Sequence, residues 1–140
     1  MTHLVRRPIS ADALLSAVAD DAQGALTLFL GTVREFNDGR QVSGIDYSAY
    51  EPMAERELQR IVESARQRHP GLRVAVEHRL GTLRVGETSV GIATAHAHRA
   101  PTLDAVREII DAIKLDVPIW KREHYVDGSR EWVAAVPVPP

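Results

Sequence analysis

"TSVGIATAHAH", Thr88 to His98, is the stretch on which the reading of this chain turns. Side chains of a strand alternate between its two faces. Val90, Ile92, Thr94, His96 and His98 then share one face, and Gly91, Ala93, Ala95 and Ala97 share the other. A face built from such small residues lets a neighbouring element, read here as a helix, pack very close. The stretch predicts a sheet strand with helices against it.

The segments on either side extend that reading. LRVAVEHRL before it alternates Leu72, Val74, Val76 and His78 on one face and reads as a strand, and GTLRVGE as a turn or short hairpin element. After it, Pro101 opens a helix with Leu103, Val106, Ile110 and Ile113 on its apolar stripe. This helix is read as ending near Lys114. Val117-Pro118 turns the chain, since a residue before proline avoids the helical region. VPIWKREHYV and REWVAAV then read as two strands joined at Asp127-Gly128.

Toward the N-terminus, Met53, Leu58, Ile61, Val62 and Ala65 give a helical period, opened near Pro52 and closed by Pro70-Gly71. VSGIDYSAY reads as a strand and EFNDGRQ as a polar loop with turn chemistry. ALTLFLGTV is a buried strand whose Gly31 suggests a bulge or close approach. Ser10 is the N-cap of a helix over ADALLSAVA. Residues 136–140, rich in proline, read as a loose tail. The order is α, β, β, α, β, β, α, β, β, and the fold class is α+β.

The length of 140 residues fits one domain over 1–140. The absence of cysteine excludes disulfides, cysteine nucleophiles and thiolate metal sites, and is compatible with a reducing cytoplasm. A net charge of −2 gives no bulk attraction to nucleic acid or an anionic membrane. No apolar run reaches the ~20 residues of a membrane-spanning helix, and the N-terminus carries no signal-peptide pattern. The expectation is a cytoplasmic protein that binds neither nucleic acid nor membrane.

His96 and His98, two apart on one strand face, could reach one metal, but no third ligand has diagnostic spacing and strand-end histidines are common. No metal is expected. GTVREFNDG lacks the spacing of a phosphate loop, and no Gly-x-Ser-x-Gly elbow is present. The basic residues say more. Lys114 lies eleven residues from Leu103, only ~20° away in helical projection. It therefore borders the buried stripe, where it either complements the helix dipole or presents its amine at a pocket. If the element ends converge, Arg34, His98, Arg99, Lys114 and Lys121 form a cationic pocket. Clustered cations depress a lysine pKa toward usefulness as an acid or base.

Several stretches, taken in order, resemble the large, catalytic subunit of molybdopterin synthase. They are GTVRE at 31–35, YSAYEPM at 47–53, HRLGTLRVGE at 78–87, AHAHRA at 95–100, IKLDVPIWKRE at 113–123 and DGSREWV at 127–133. The resemblance implies an α/β hammerhead with an additional small antiparallel sheet. It implies conversion of cyclic pyranopterin monophosphate (precursor Z) into the molybdopterin dithiolene. The sulfur would come from the C-terminal Gly-Gly thiocarboxylate of a small ubiquitin-like subunit, without cofactor. Two large subunits would form the central homodimer of a heterotetramer.

By the same resemblance Lys114 matches the principal catalytic lysine and Lys121 the second. Arg122 and Glu123 complete that strand's substrate-contacting run. His98 and Arg99 match a pair holding the anionic substrate, and Thr32, Val33 and Arg34 match the phosphate-side contact. One departure follows Trp132-Val133, where members often carry a basic residue that reaches the neighbouring subunit; here Ala134, Ala135 and Val136 follow. The alternative is a non-catalytic α+β module that binds an anionic ligand or a partner's tail through the same cluster.

Overall fold

A computed structural model describes residues 2–133. The elements are β1 (Leu4–Val5), α1 (Ala11–Val18), β2 (Ala25–Thr32), β3 (Phe36–Asn37), β4 (Arg40–Ala49), α2 (Glu51–Arg68), β5 (Arg73–Arg79), β6 (Gly81–Arg84), β7 (Thr88–His96), α3 (Arg99–Asp116), β8 (Ile119–Tyr125) and β9 (Arg130–Trp132). The α+β expectation holds. The sequence reading missed the two-residue strands β1 and β3, which are too short to show a period.

The strand that opened the reading is central. The first sheet has the order β1-β5-β7-β2, with β7 antiparallel to both β5 and β2, and β1 parallel to β5. Val90 and Ile92 of β7 join the main core with Leu58, Ile61 and Val62 of α2 and Ala105, Ile109 and Ile113 of α3. Ala93 and Ala95 meet Leu14 and Val18 of α1 on the other face. The close approach is real at Gly91, where an added Cβ would lie 2.5 Å from Leu14 Cδ1. α1 starts as expected, its Ser10 hydroxyl accepting the Ala13 N–H. The Gly31 irregularity also holds, as the β2–β7 register shifts between Gly31 and Thr32.

The second sheet runs β3-β4-β8-β9, with β6 also paired to β4. This is the additional antiparallel sheet. Val33, Val42, Ile45, Leu83 and Tyr125 form its core. The polar loop read over EFNDGRQ is instead a tight β3–β4 hairpin. Asp38 and Gly39 both take positive φ, 48° and 76°, as a two-residue turn between twisted strands requires. The Asp127-Gly128 turn joins β8 to β9 as expected, with Gly128 at φ 90°.

Three boundaries differ from the sequence reading. α3 begins at Arg99, two residues before Pro101, and runs on to Asp116 past Lys114. β7 ends at His96, so His98 is the N-cap of α3 and not a strand residue. The buried stripe of α3 is Thr102, Ala105, Val106, Ile109 and Ile113, and Leu103 is 56% exposed. Val106 and Ile113 lie on the stripe as expected; Leu103 does not, because α3 turns Thr102, Ala105 and Ile109 toward β7 and β2. The tail expected over 136–140 lies outside the described residues.

Candidate active site

The end of α3, the end of β2 and the inner face of the second sheet enclose a cavity of about 230 Å³. Its wall includes Thr32 and Arg34 after β2, Asn37 of β3, Tyr47 of β4, Lys114 of α3, and Lys121 and Glu123 of β8. Phe29, Val42, Ile45, Val90 and Ile110 supply apolar surface, and Ser89 a hydroxyl.

The chain contains two lysines against fifteen arginines, and both lysines line this one cavity. Arginine stays charged in proteins, whereas a lysine can release its proton when buried or crowded by cations. Everywhere else the chain carries positive charge on arginine. That count was legible in the sequence and is the signal that the sequence reading passed over.

Each lysine arrives by a local rule. Lys114 follows buried Ile113 and lies one turn beyond Ile110, on the flank of α3 that turns toward the second sheet. Val117 then leaves the helix at φ −83°, ψ 126°, and Pro118 leads into β8. The strand pairs back along β4, with Lys121 opposite Tyr47 and Glu123 opposite Ile45. The reversal expected at Pro118 does bring the two amines into one site.

Burial pushes the Lys121 pKa below its ordinary value, Lys114 and Arg34 push it the same way, and Glu123 opposes them. Burial also raises the Tyr47 hydroxyl, with Ser89 opposing and Glu123 adding to the rise, so Tyr47 stays a hydrogen-bond donor at neutral pH. Its ring meets His78 edge to face at 5.2 Å between centroids. His78 is pushed down to about 4, mainly by burial, and remains an uncharged support behind the cavity.

Four residues expected at the site lie elsewhere in this chain. Arg122 sits between Lys121 and Glu123, and strand alternation sends it to the opposite sheet face. There it donates to Asp46 at 2.8 Å and stacks toward Trp132. Val33 is 3% exposed in the second sheet's core, its backbone paired to Glu87 and Gly86. His98 and Arg99 start α3, and Lys114 lies fifteen residues on, about 22 Å along the helix. The convergence of all five cations within one chain is therefore not met. Arg34, Lys114 and Lys121 meet; His98 and Arg99 do not join them.

The His96 ring donates from Nε2 to the Pro70 carbonyl and accepts the His98 N–H at Nδ1, so both its nitrogens are occupied. Trp120 is 5% exposed, points away from Lys121 by alternation, and packs edge to face on Tyr50. It anchors the turn and does not line the cavity. Asn37, Tyr47 and Ser89 are wall residues that the sequence reading did not assign to the site.

The fold and this cavity define a class: an α+β protein with two titratable amines and a guanidinium over a half-apolar pocket. The chain belongs to the MoaE protein family, whose model matches residues 4–116. It is 41% identical over 135 residues to the molybdopterin synthase catalytic subunit 1 of Mycobacterium tuberculosis, covering 96% of this chain and 91% of that one. It is 45% identical over 124 residues to the molybdopterin synthase catalytic subunit of Bos taurus, covering 89% of this chain and 66% of the relative. The crystal structure of molybdopterin synthase from Staphylococcus aureus superposes with a TM-score of 0.90 at 33% identity, over 96% of this chain and 97% of that one.

Proposed function

We propose that this chain is the catalytic subunit of a molybdopterin synthase. It converts cyclic pyranopterin monophosphate to the dithiolene of molybdopterin, with sulfur from the C-terminal thiocarboxylate of a small ubiquitin-like subunit. The observation that carries this reading is the placement of both lysines in one cavity with Arg34. The names of the curated relatives support it.

The reaction brings two anions together, a phosphorylated pterin and a thiocarboxylate. Arg34 and the ammonium groups offset that repulsion at short range. Sulfur attack at an sp² carbon and departure of oxygen need proton transfers, which an amine of lowered pKa supplies. Water then attacks the partner's terminal carbonyl, the C–S bond to it breaks with the sulfur staying on the pterin, and the tail leaves as a carboxylate; the second ammonium stabilises the oxyanion of that step. Lys121, the half-buried amine, takes the proton-transfer role, and exposed Lys114 meets the incoming tail.

A central homodimer accounts for His98 and Arg99. They cannot serve the cavity of their own chain, but a two-fold axis can set the start of one α3 beside the end of the neighbour's. No described helix is long and apolar enough to cross a membrane. A cytoplasmic location fits this chemistry and the cysteine-free sequence.

The test is a reconstituted conversion. Purified chain, precursor and thiocarboxylated small subunit yield dithiolene product, and omission of the thiocarboxylate abolishes it. Binding of the partner's tail with no product would favour the non-catalytic module; turnover without a partner would favour an unrelated enzyme.

A further inference from the structure

Glu123 is the most deeply buried charged group of the cavity, at 2% exposure. Its Oε1 accepts the Asn37 side-chain amide, and its Oε2 has no hydrogen-bond partner among the described residues. The same Asn37 accepts from Arg34 Nη2 at 3.3 Å. One side-chain amide thus bridges a guanidinium and a buried carboxylate. Among neutral side chains only an amide offers both a carbonyl acceptor and an N–H₂ donor in that arrangement.

We propose that Asn37 is a positioning residue for this site: it holds the Glu123 carboxylate on the cavity floor and, through it, sets the charge state of the Lys121 amine. This rests on the reading above that Lys121 is part of a working site. The hairpin makes the placement possible. Asp38 and Gly39 turn the chain within two residues, which brings Asn37 back opposite Arg40 and in over β8. Glu123 lies two residues from Lys121 on the same strand face.

The charged and titratable groups around this pair come from every element that packs on it. Lys114 faces it from α3, Arg34 from the end of β2, Tyr47 from β4 and Tyr125 from β8 itself, and Glu131 of β9 lies opposite Glu123, held by Arg40 of β4 at 3.0 Å. Burial, Lys114 and Arg34 press the Lys121 proton off, and among the described residues Glu123 opposes them. The Asn37 amide holds the Glu123 carboxylate in place beside Lys121 on the same strand face. Without it the carboxylate is free to turn from the amine, its pull on the Lys121 proton weakens, and the Lys121 pKa falls further.

The chain's two lysines make the experiment direct. In ¹³C-lysine-labelled protein two side-chain signals are titrated by NMR and assigned with Lys114→Arg. Asn37→Ala lowers the Lys121 midpoint by about half a pH unit or more, and Glu123→Gln lowers it too. In a Glu123→Gln background, Asn37→Ala adds nothing, because the two act in series. If Asn37→Ala does not fold, Asn37→Leu, close in size, carries the same comparison. An unchanged Lys121 midpoint would overturn the proposal, as would an equal shift in the Glu123→Gln background. The titration needs no turnover, so failure here is distinguishable from failure of the functional reading in the conversion assay.

Discussion

Two lysines stand among seventeen lysines and arginines, and both line one cavity; on the proposed reading Lys121 is there because its amine can lose a proton. Lys121→Arg preserves charge and length but removes that ability. Conversion by Lys121→Arg should fall by about 100-fold or more, the usual size of a general acid–base contribution, while the small subunit still binds. Rates within a few-fold of the parent across pH 7–9 would show that charge alone suffices. At this scale the sequence was partly readable. Lys114, Lys121, Arg34, Thr32 and Glu123 were named and line the cavity. Asn37 was not, because its role depends on a hairpin whose strand β3 is two residues long.

Alternation along single elements explains both what was legible and what was not. The two faces of β7 could be read from Gly91, Ala93 and Ala95 against Val90 and Ile92, and they predicted the helix that packs there. The same rule, had it been applied to β8, separates Arg122 from Lys121 and Glu123. The resemblance treated those three as a run, and a run on a strand cannot share one face. On α3 the expected stripe holds at Val106 and Ile113, while Leu103 is exposed and Thr102, Ala105 and Ile109 are buried. The packing of α1 gives an element-scale prediction. Gly91→Val places a side chain against Leu14 Cδ1 and Ile9 Cγ2, the latter 3.1 Å from the added Cβ. It should cost about 1–3 kcal/mol in urea denaturation. Activity per folded molecule should be unchanged, because Gly91 lies on the sheet face away from the cavity.

For the whole molecule, His78 ties stability to pH. The ring titrates near 4 when folded and near 6.5 when unfolded, so between those values the unfolded chain holds the extra proton. Stability is full above pH 6.5 and falls as pH drops toward 4, by about 3 kcal/mol for this group. His78→Gln should be less stable at pH 7 yet lose less between pH 7 and 4.5 in urea denaturation. Asp46 acts in a lower window. Burial would raise its carboxyl, but His124 at 2.7 Å, Arg122 and Thr82 together bring it down to about 2, so its contribution fades only below pH 4.

The proposed dimer makes a sharper statement. Lys114→Ala and Arg99→Ala chains are each inactive alone. Mixed one to one, half the dimers are hybrid and each hybrid has one intact site of two, so about a quarter of parental activity returns. No recovery in reassorted dimers would place Arg99 outside the neighbour's site. The single chain could not reveal this arrangement, because about 22 Å of helix separates residues that the sequence reading had gathered into one pocket.

The most direct test of the central claim is single-turnover conversion by Lys114→Ala, with precursor and thiocarboxylated small subunit at saturation. The account predicts a folded chain that still binds the small subunit and forms dithiolene at least about 100-fold more slowly than the parent, the usual cost of losing one oxyanion-stabilising group. Product at the parental rate would contradict it.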